Sequence, residues 1–332
     1  MPPSVVVFGA GGFTGALSAR LVFRHPWFEL VTVTSRSDVG RRLDELYPHH
    51  RVPLTLQELD VERHADGLDA AIVAYPHGAA AELVSELRAR RVRVVDLSAD
   101  FRLRDAELYG RWYREHPAPR MLGEAVYGLC ELYREQIGEA DLVANPGCYP
   151  TATLLGLAPL ARAGLIADVV VDAKSGVSGA GRAATEKTHF VSVDENVSPY
   201  GLPQHRHTPE IEQELAVLGA DVRITFVPHL LPLDQGELVS CYVTPNRAGA
   251  DDVEALYREA YAGEPFIEVV EPAPGVRDVR ETNICRISVH RDERTGRVVV
   301  FSAIDNLWKG AASQAVQNLN LMFGRPEGEG IS

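Results

Sequence analysis

Ser4-Val5-Val6-Val7-Phe8-Gly9-Ala10-Gly11-Gly12-Phe13-Thr14-Gly15 stands near the start of the chain. The run of valines to Phe8 predicts a short buried strand. Glycines at 9, 12 and 15 predict a tight turn, and an amphipathic pattern predicts a helix to about Phe23. Strand, glycine turn, then helix is the context of a dinucleotide fingerprint. The glycines let the backbone approach a pyrophosphate, and the helix N-terminus faces it. A plain tight turn is the alternative.

The next segments extend this beginning into a parallel sheet. Phe28–Thr34, Asp69–Ala74 and Val92–Leu97 read as strands, and Ala79–Arg90 reads as a helix between the last two. Such alternation implies βαβ units with ligands beyond the carboxyl ends of the strands. The second strand ends in Ser35-Arg36-Ser37. An NAD-selective enzyme places an acidic residue in that neighbourhood to hold the ribose 2′-hydroxyl. Two hydroxyls and a guanidinium suit a 2′-phosphate instead, with Asp38 expected to point away from it. A solvated loop arginine is the other reading of Arg36. Ser98-Ala99-Asp100-Phe101-Arg102 leaves the next strand end, so Arg102 is placed to grip a phosphate or carboxylate. A capping Ser98 and an Asp100–Arg102 pair are the structural alternative. Residues 104–138, polar and rich in Tyr and Pro, read as a surface excursion.

Asn145-Pro146-Gly147-Cys148-Tyr149-Pro150-Thr151 carries the reactive chemistry. Cys148 falls between a strand end and a helix expected from about Pro150 to Ala163, with proline in the first turn. Unpaired N–H groups at a helix N-terminus favour thiolate, and such cysteines have pKa values of roughly 3.5–7.5. The same groups stabilise an oxyanion formed when sulfur adds to a carbonyl. A buried cysteine in a tight turn is the alternative. Cys130, Cys241 and Cys285 read as small core residues, and no CxxC spacing or zinc pattern is present.

The second half has a different pattern. After Val169–Ala173 comes Lys174-Ser175-Gly176-Val177-Ser178-Gly179-Ala180-Gly181-Arg182, suited to an anionic group. His205 and His207 precede a helix with Thr208 as N-cap and Pro209 at its first position. Without further ligands, acid/base work for one of these histidines is favoured over a metal. Arg223–Val227 and Glu237–Thr244 alternate as half-buried strands, and Asp251–Ala262 is an amphipathic helix. Ile284–His290 and Arg297–Ile304 read as a hairpin. The expected class is α/β: a Rossmann-type dinucleotide-binding domain (1–147) and a mixed α+β catalytic and dimerisation domain (148–309). An apolar C-terminal helix (310–324) is expected to pack back onto the first domain.

At 332 residues the chain is long enough for two domains. Its net charge of −13 argues against nucleic-acid and anionic-membrane partners. No apolar run reaches a membrane span. The start shows no signal-peptide pattern, so the cytoplasm is the expected compartment.

GAGGFTG at Gly9, LSADFR at Leu97, NPGCYPT at Asn145, KSGVSGAGR at Lys174, HRHTPEI at His205 and AIDNLWKG at Ala303 are jointly specific. On these motifs the chain resembles, essentially end to end, the N-acetyl-gamma-glutamyl-phosphate reductase family of the aspartate-semialdehyde dehydrogenase-like superfamily. The resemblance implies an arginine-biosynthesis step: NADPH reduces N-acetyl-glutamyl phosphate, a small-molecule acyl phosphate, to the semialdehyde and phosphate. It implies Cys148 as nucleophile forming a thioester, and His207 as acid/base. Arg102, Ser178, Arg182 and His205 would contact substrate. Gly9, Gly12, Phe13, Thr14, Gly15, Ser35, Arg36, Pro76, Ser178, Gly179 and Asn306 would serve NADP(H), in a homodimer or homotetramer that needs no metal. The nearest rival is a lysine-pathway reductase of carrier-bound aminoadipyl phosphate, and a non-catalytic NADP sensor is another. Two departures stand out. Leu233-Asp234-Gln235-Gly236-Glu237 lacks the basic residue that many relatives have before the glycine, and Glu281-Thr282-Asn283 replaces Gly-Ser-Asn.

Overall fold

The computed structural model describes residues 1–246 and 252–331. They divide into two units, Met1–Gly147 with Ala311–Ser332, and Cys148–Gly310.

The first unit is built on a six-stranded parallel sheet. Its strands are β1 (Ser4–Phe8), β2 (Glu29–Val33), β3 (Ala70–Val73), β4 (Arg93–Asp96), β5 (Val126–Tyr127) and β6 (Leu142–Ala144). Their order is β2-β1-β3-β4-β6-β5. The central strand β3 is wholly buried, and β1 and β4 beside it are buried but for their first residues, as parallel strands covered on both faces must be. Helices Phe13–Arg24 and Ala81–Ala89 follow β1 and β3. The segment read as a surface excursion is instead structured. It holds helix Ala106–Trp112, β5, and helix Cys130–Glu139. Phe101 and Leu122, which bracket much of it, join the core of β1, β3 and β4. Tyrosine and proline spread over short elements gave no single period, so the pattern was hidden.

The C-terminal helix, Ser313–Met322, packs within this unit against helices Phe13–Arg24 and Cys130–Glu139. The expectation of an apolar helix from 310 needs correcting. A wide turn, Trp308–Ala312, precedes it, and Ser313, Gln314, Gln317, Asn318 and Asn320 are fully buried. Buried amides are tolerable because they are bonded. Asn318 Nδ2 donates to Gly128 O (2.8 Å) and Asn145 Oδ1 (2.9 Å), and Cys130 Sγ donates to Asn318 Oδ1 (3.1 Å).

The second unit has a mixed seven-stranded sheet. Its members are β7 (Ile166–Gly176), β8 (Ser198–Pro199), β9 (Ile224–Leu231), β10 (Glu237–Pro245), β11 (Ile267–Val269), β12 (Cys285–Asp292) and β13 (Arg297–Ile304). The order is β11-β12-β13-β10-β7-β9-β8. β7 pairs with β9, and β11 with β12, in parallel, and the other neighbours are antiparallel. The helix expected from Asp251 runs Val253–Ala260, capped by Asp252 Oδ1 accepting from Ala255 N (2.8 Å); Asp251 lies outside the described residues.

Helix Cys148–Arg162 packs on β10 and β13 and is buried at nearly every residue. Each of its fully buried leucines contributes roughly 1.5–3 kcal/mol of transfer free energy. Pro159, inside this helix, cannot donate to Leu155 O. Tyr261 Oη donates to that carbonyl instead, and Tyr257 Oη donates to Gly156 O at 2.5 Å. The proline therefore leaves no orphan carbonyl where it would cost most.

Candidate active site

Cys148 is the first residue of its helix, two positions earlier than expected, because Pro150 occupies the first turn rather than opening it. It is half-buried, whereas Cys130, Cys241 and Cys285 are buried. Burial pushes Cys241 up to about 12, so it is no rival nucleophile. The second unit's chain returns to Cys148 at Gly310. A Cβ on Gly310 would lie 2.8 Å from Cys148 Cβ and 3.3 Å from Asp305 O. Gly310→Ala should therefore cost about 1–3 kcal/mol by overpacking. A lower denaturation midpoint, with slower alkylation of Cys148, would show it. An unchanged midpoint would mean that the turn yields easily.

Around Tyr149, the residue after Cys148, the second unit gathers aromatic rings. Tyr149 lies edge-on to His205, His207 and Phe226, with centroids 5.8, 5.9 and 5.4 Å away. Tyr200 Oη donates to Tyr149 Oη (3.2 Å), which donates to His229 O (3.2 Å). Burial raises both phenols, so they stay neutral donors. His207 itself occupies the cap of helix Thr208–Val217, where Thr208 was expected; the helix begins one residue early, with Pro209 in its first turn. His207 N donates to His205 Nδ1 (3.1 Å), and burial, helped by Arg206, pushes His205 down to about 4.

The 174–182 loop is ordered rather than slack. β7 runs through Gly176, and Val177–Ala180 forms a 3₁₀ turn. Asn306 fixes it: Nδ2 donates to Ser178 Oγ (3.0 Å) and Oδ1 accepts from Gly236 N (2.7 Å). Gly179 shares the turn, and Arg182 is exposed just beyond it. One residue back, Asp305 accepts from the N–H groups of Glu281, Leu307 and Trp308. The departure at Glu281 thus feeds a structural cap through its backbone, whatever its side chain.

In the first unit the glycine turn forms as expected, with one correction. Gly9 has φ +90°, and its Cβ would strike Ala74 O at 2.6 Å; a Cβ on Gly15 would strike Gly9 O. Gly11 was overlooked, although its Cβ would meet Ser35 Oγ at 2.6 Å. A Cβ on Gly12 would meet only Gly9 O, at 3.9 Å, so that side of the turn is open at the helix N-terminus. This cradle fits a pyrophosphate. Phe13 and Thr14 form the first helical turn, with Phe13 edge-on to Tyr47 (6.2 Å).

Ser35 Oγ accepts from Ser37 N and Asp38 N (3.3 and 3.2 Å). Arg36 is exposed, with its guanidinium 5.9 Å from the Tyr75 ring centre. Asp38 does not point away: its Oδ2 lies 3.1 Å from a Cβ placed on Gly11. Ser37 Oγ donates to it (2.7 Å), and Arg41 pairs with it at 3.4 Å. Pro76 is exposed on a turn capped by Asp100, which accepts from Gly78, Ala80 and Ala81 N–H groups. Ser98 Oγ donates to Asp96 (2.6 Å). Arg102 is 5% exposed, and it donates to Asn145 O and Leu97 O at 2.8 Å each, tying the ends of β6 and β4.

Residues 4–140 match the family model for the semialdehyde dehydrogenase NAD binding domain, and residues 148–306 match that for its dimerisation domain. Fold and site together define an oxidoreductase of the semialdehyde dehydrogenase class that uses a nicotinamide dinucleotide. Aspartate semialdehyde dehydrogenase II from Vibrio cholerae shares the fold, with TM-score 0.74 at 20% identity over 98% of this chain and 99% of that one. The Candida albicans aspartate semialdehyde dehydrogenase solved with NADP gives 0.72 at 14% over 97% and 99%. N-acetyl-gamma-glutamyl-phosphate reductases are far more similar in sequence. That of Desulforudis audaxviator is 49% identical over 98% of this chain and 97% of the relative. That of Rubrobacter xylanophilus is 49% identical over 99% and 98%. The chain belongs to the N-acetyl-gamma-glutamyl-phosphate reductase family.

Proposed function

We propose that this chain reduces N-acetyl-glutamyl 5-phosphate, with NADPH, to N-acetyl-glutamate 5-semialdehyde and phosphate, a step of arginine biosynthesis. The observation that carries this is Cys148 at the first position of helix Cys148–Arg162, half-buried and close to His205 and His207 through Tyr149. The relatives' names favour this substrate over a carrier-bound aminoadipyl phosphate.

The thiolate adds to the acyl carbon, and the C–O bond to phosphate breaks, leaving a thioester on Cys148. Helix N–H groups stabilise the transient oxyanion. The reduced nicotinamide, when bound, supplies the hydride for the thioester carbon. His207 delivers the proton to the resulting oxygen and takes it back as the C–S bond breaks, releasing the aldehyde. Arg102, Arg182 and Ser178 are assigned to phosphate or substrate carboxylate, with His205 donating through Nε2. Gly9, Gly12, Phe13, Thr14, Gly15, Ser35, Pro76, Gly179 and Asn306 are assigned to the cofactor. The working form is proposed as a homodimer or homotetramer in the cytoplasm.

The reading is tested in the reverse direction with N-acetylglutamate semialdehyde, phosphate and NADP, beside the aminoadipate analogue. Phosphate-dependent NADPH formation with the first alone supports it. Nucleotide binding without turnover would leave only a sensor.

Arg36 is assigned to the 2′-phosphate of NADP. Hydrogen bonds to charged groups contribute about 1.5–3 kcal/mol each. Losing one or two, partly screened by solvent, weakens NADP by roughly one to three decades. Arg36→Ala should therefore raise KM for NADP and leave that for NAD little changed. An unmoved ratio of the two kcat/KM values would return Arg36 to a solvated loop and leave Asp38, beside Gly11, as the group facing the ribose.

A further inference from the structure

Gly11 and Gly12 are joined by a peptide with no side chain on either flank to fix its plane. A side chain is barred at Gly11, where a Cβ would meet Ser35 Oγ at 2.6 Å. The plane must therefore be set from outside the turn. Tyr47 reaches it from 36 positions along the chain, and its Oη donates to Gly11 O at 2.9 Å. At the other end of the same peptide, Gly12 N donates to Gly9 O at 3.3 Å. Tyr47 is 8% exposed, and its ring lies edge-on to Phe13 and His50, with centroids 6.2 and 5.3 Å away. The lobe that carries it is fastened along its length. Gly40 N donates to Leu56 O (2.8 Å), Leu43 N to Leu54 O (2.9 Å), and Gln57 N to Val33 O of β2 (2.9 Å). Leu43, Val52 and Leu56 are fully buried beneath it. The hydroxyl is thus delivered by an ordered lobe. It also lies clear of the open side of the turn: apart from chain neighbours, only Gly9 O comes within 4 Å of a Cβ on Gly12.

We propose that Tyr47 is a positioning residue for the dinucleotide, its hydroxyl holding the Gly11–Gly12 peptide so that Gly11 O turns away from the pyrophosphate. A flipped peptide would set that carbonyl's partial negative charge beside two phosphates, at the helix start whose N–H groups receive them. A pinned one leaves the first N–H groups of helix Phe13–Arg24 unopposed. Tyr47 acts through Gly11, and no bond is made or broken. The lobe then has two tasks: it carries Arg36 and Asp38 toward the ribose, and it locks the turn for the pyrophosphate. The inference rests on the glycine turn receiving the cofactor.

Tyr47→Phe keeps the ring and loses only the hydroxyl. Isothermal titration of NADP and of NAD into the substrate-free protein should show both bound about 2- to 10-fold more weakly, the range for one neutral hydrogen bond. The ratio of the two dissociation constants should stay that of the wild type, and in turnover the loss should fall on KM rather than kcat. A shifted ratio would mean that the lobe itself had moved, with Arg36 and Asp38, and would overturn the assignment. Unchanged affinities would overturn it too, and a lower denaturation midpoint beside them would show a bond that merely satisfies a buried phenol. Gly12→Asp tests the turn separately, by placing a carboxylate on its open side. Lost NADP binding there, with the wild-type circular dichroism spectrum, keeps the pyrophosphate in the turn. Wild-type affinity would remove it, and the role of Tyr47 with it.

Discussion

Cys148→Ser should bind NADP as the wild type does and lose turnover by about 10⁴-fold or more, the scale seen when a covalent nucleophile is removed. The reason lies in the helix start. N–H groups at the first turn lower a thiol by a few units at most, from about 8.5 into the range of roughly 3.5–7.5. The same field on an alcohol leaves no useful alkoxide at neutral pH. The wild type given acyl phosphate without reduced cofactor should carry an acyl adduct on Cys148 by mass spectrometry, and the serine variant should not. Substantial turnover by the serine variant would remove Cys148 from the reaction. The other three cysteines are buried and offer no substitute thiolate.

The frame of both units was legible because each signal was local. The valines of Ser4–Phe8, the glycines behind them and the hairpin through Asp292–Gly296 state their structure within a few residues. Residues 104–138 did not, because the short helices there owe their burial to partners such as the 313–322 helix, which no window spans. The same limit hid most of the missed site residues. Gly11 reads as one more glycine until Ser35 is placed against it, and Gly310 until Cys148 is. Glu237 opens a strand read only as half-buried, at a departure from the family pattern. Alternation puts it on the inner face with Val239 and Cys241, so its burial could have been read. The C-terminal helix, expected to be apolar, buries amides instead, and Gly128, Cys130 and Asn145 supply the partners of Asn318.

The two histidines of His205-Arg206-His207 should separate sharply. A general acid must hold a proton near neutral pH and give it up readily, which places its best pKa near the working pH. Burial holds His205 down at about 4, and its Nδ1 already accepts from His207 N, so at pH 7 it is neutral with its hydrogen assigned to Nε2. It can donate a hydrogen bond but cannot shuttle a proton. His207→Asn should therefore lose about 10²–10⁴-fold in kcat while Cys148 still acylates. His205→Asn should lose about tenfold or less. A second readout is thermodynamic. The folded pKa of His205 lies below its ordinary value of 6.5, so the unfolded chain binds more protons between the two values. Stability is fully present above about 6.5 and is lost as pH falls toward about 4. His205→Asn should flatten that part of the pH–stability curve. The larger catalytic loss at His205, with acylation intact in both variants, would exchange the two roles.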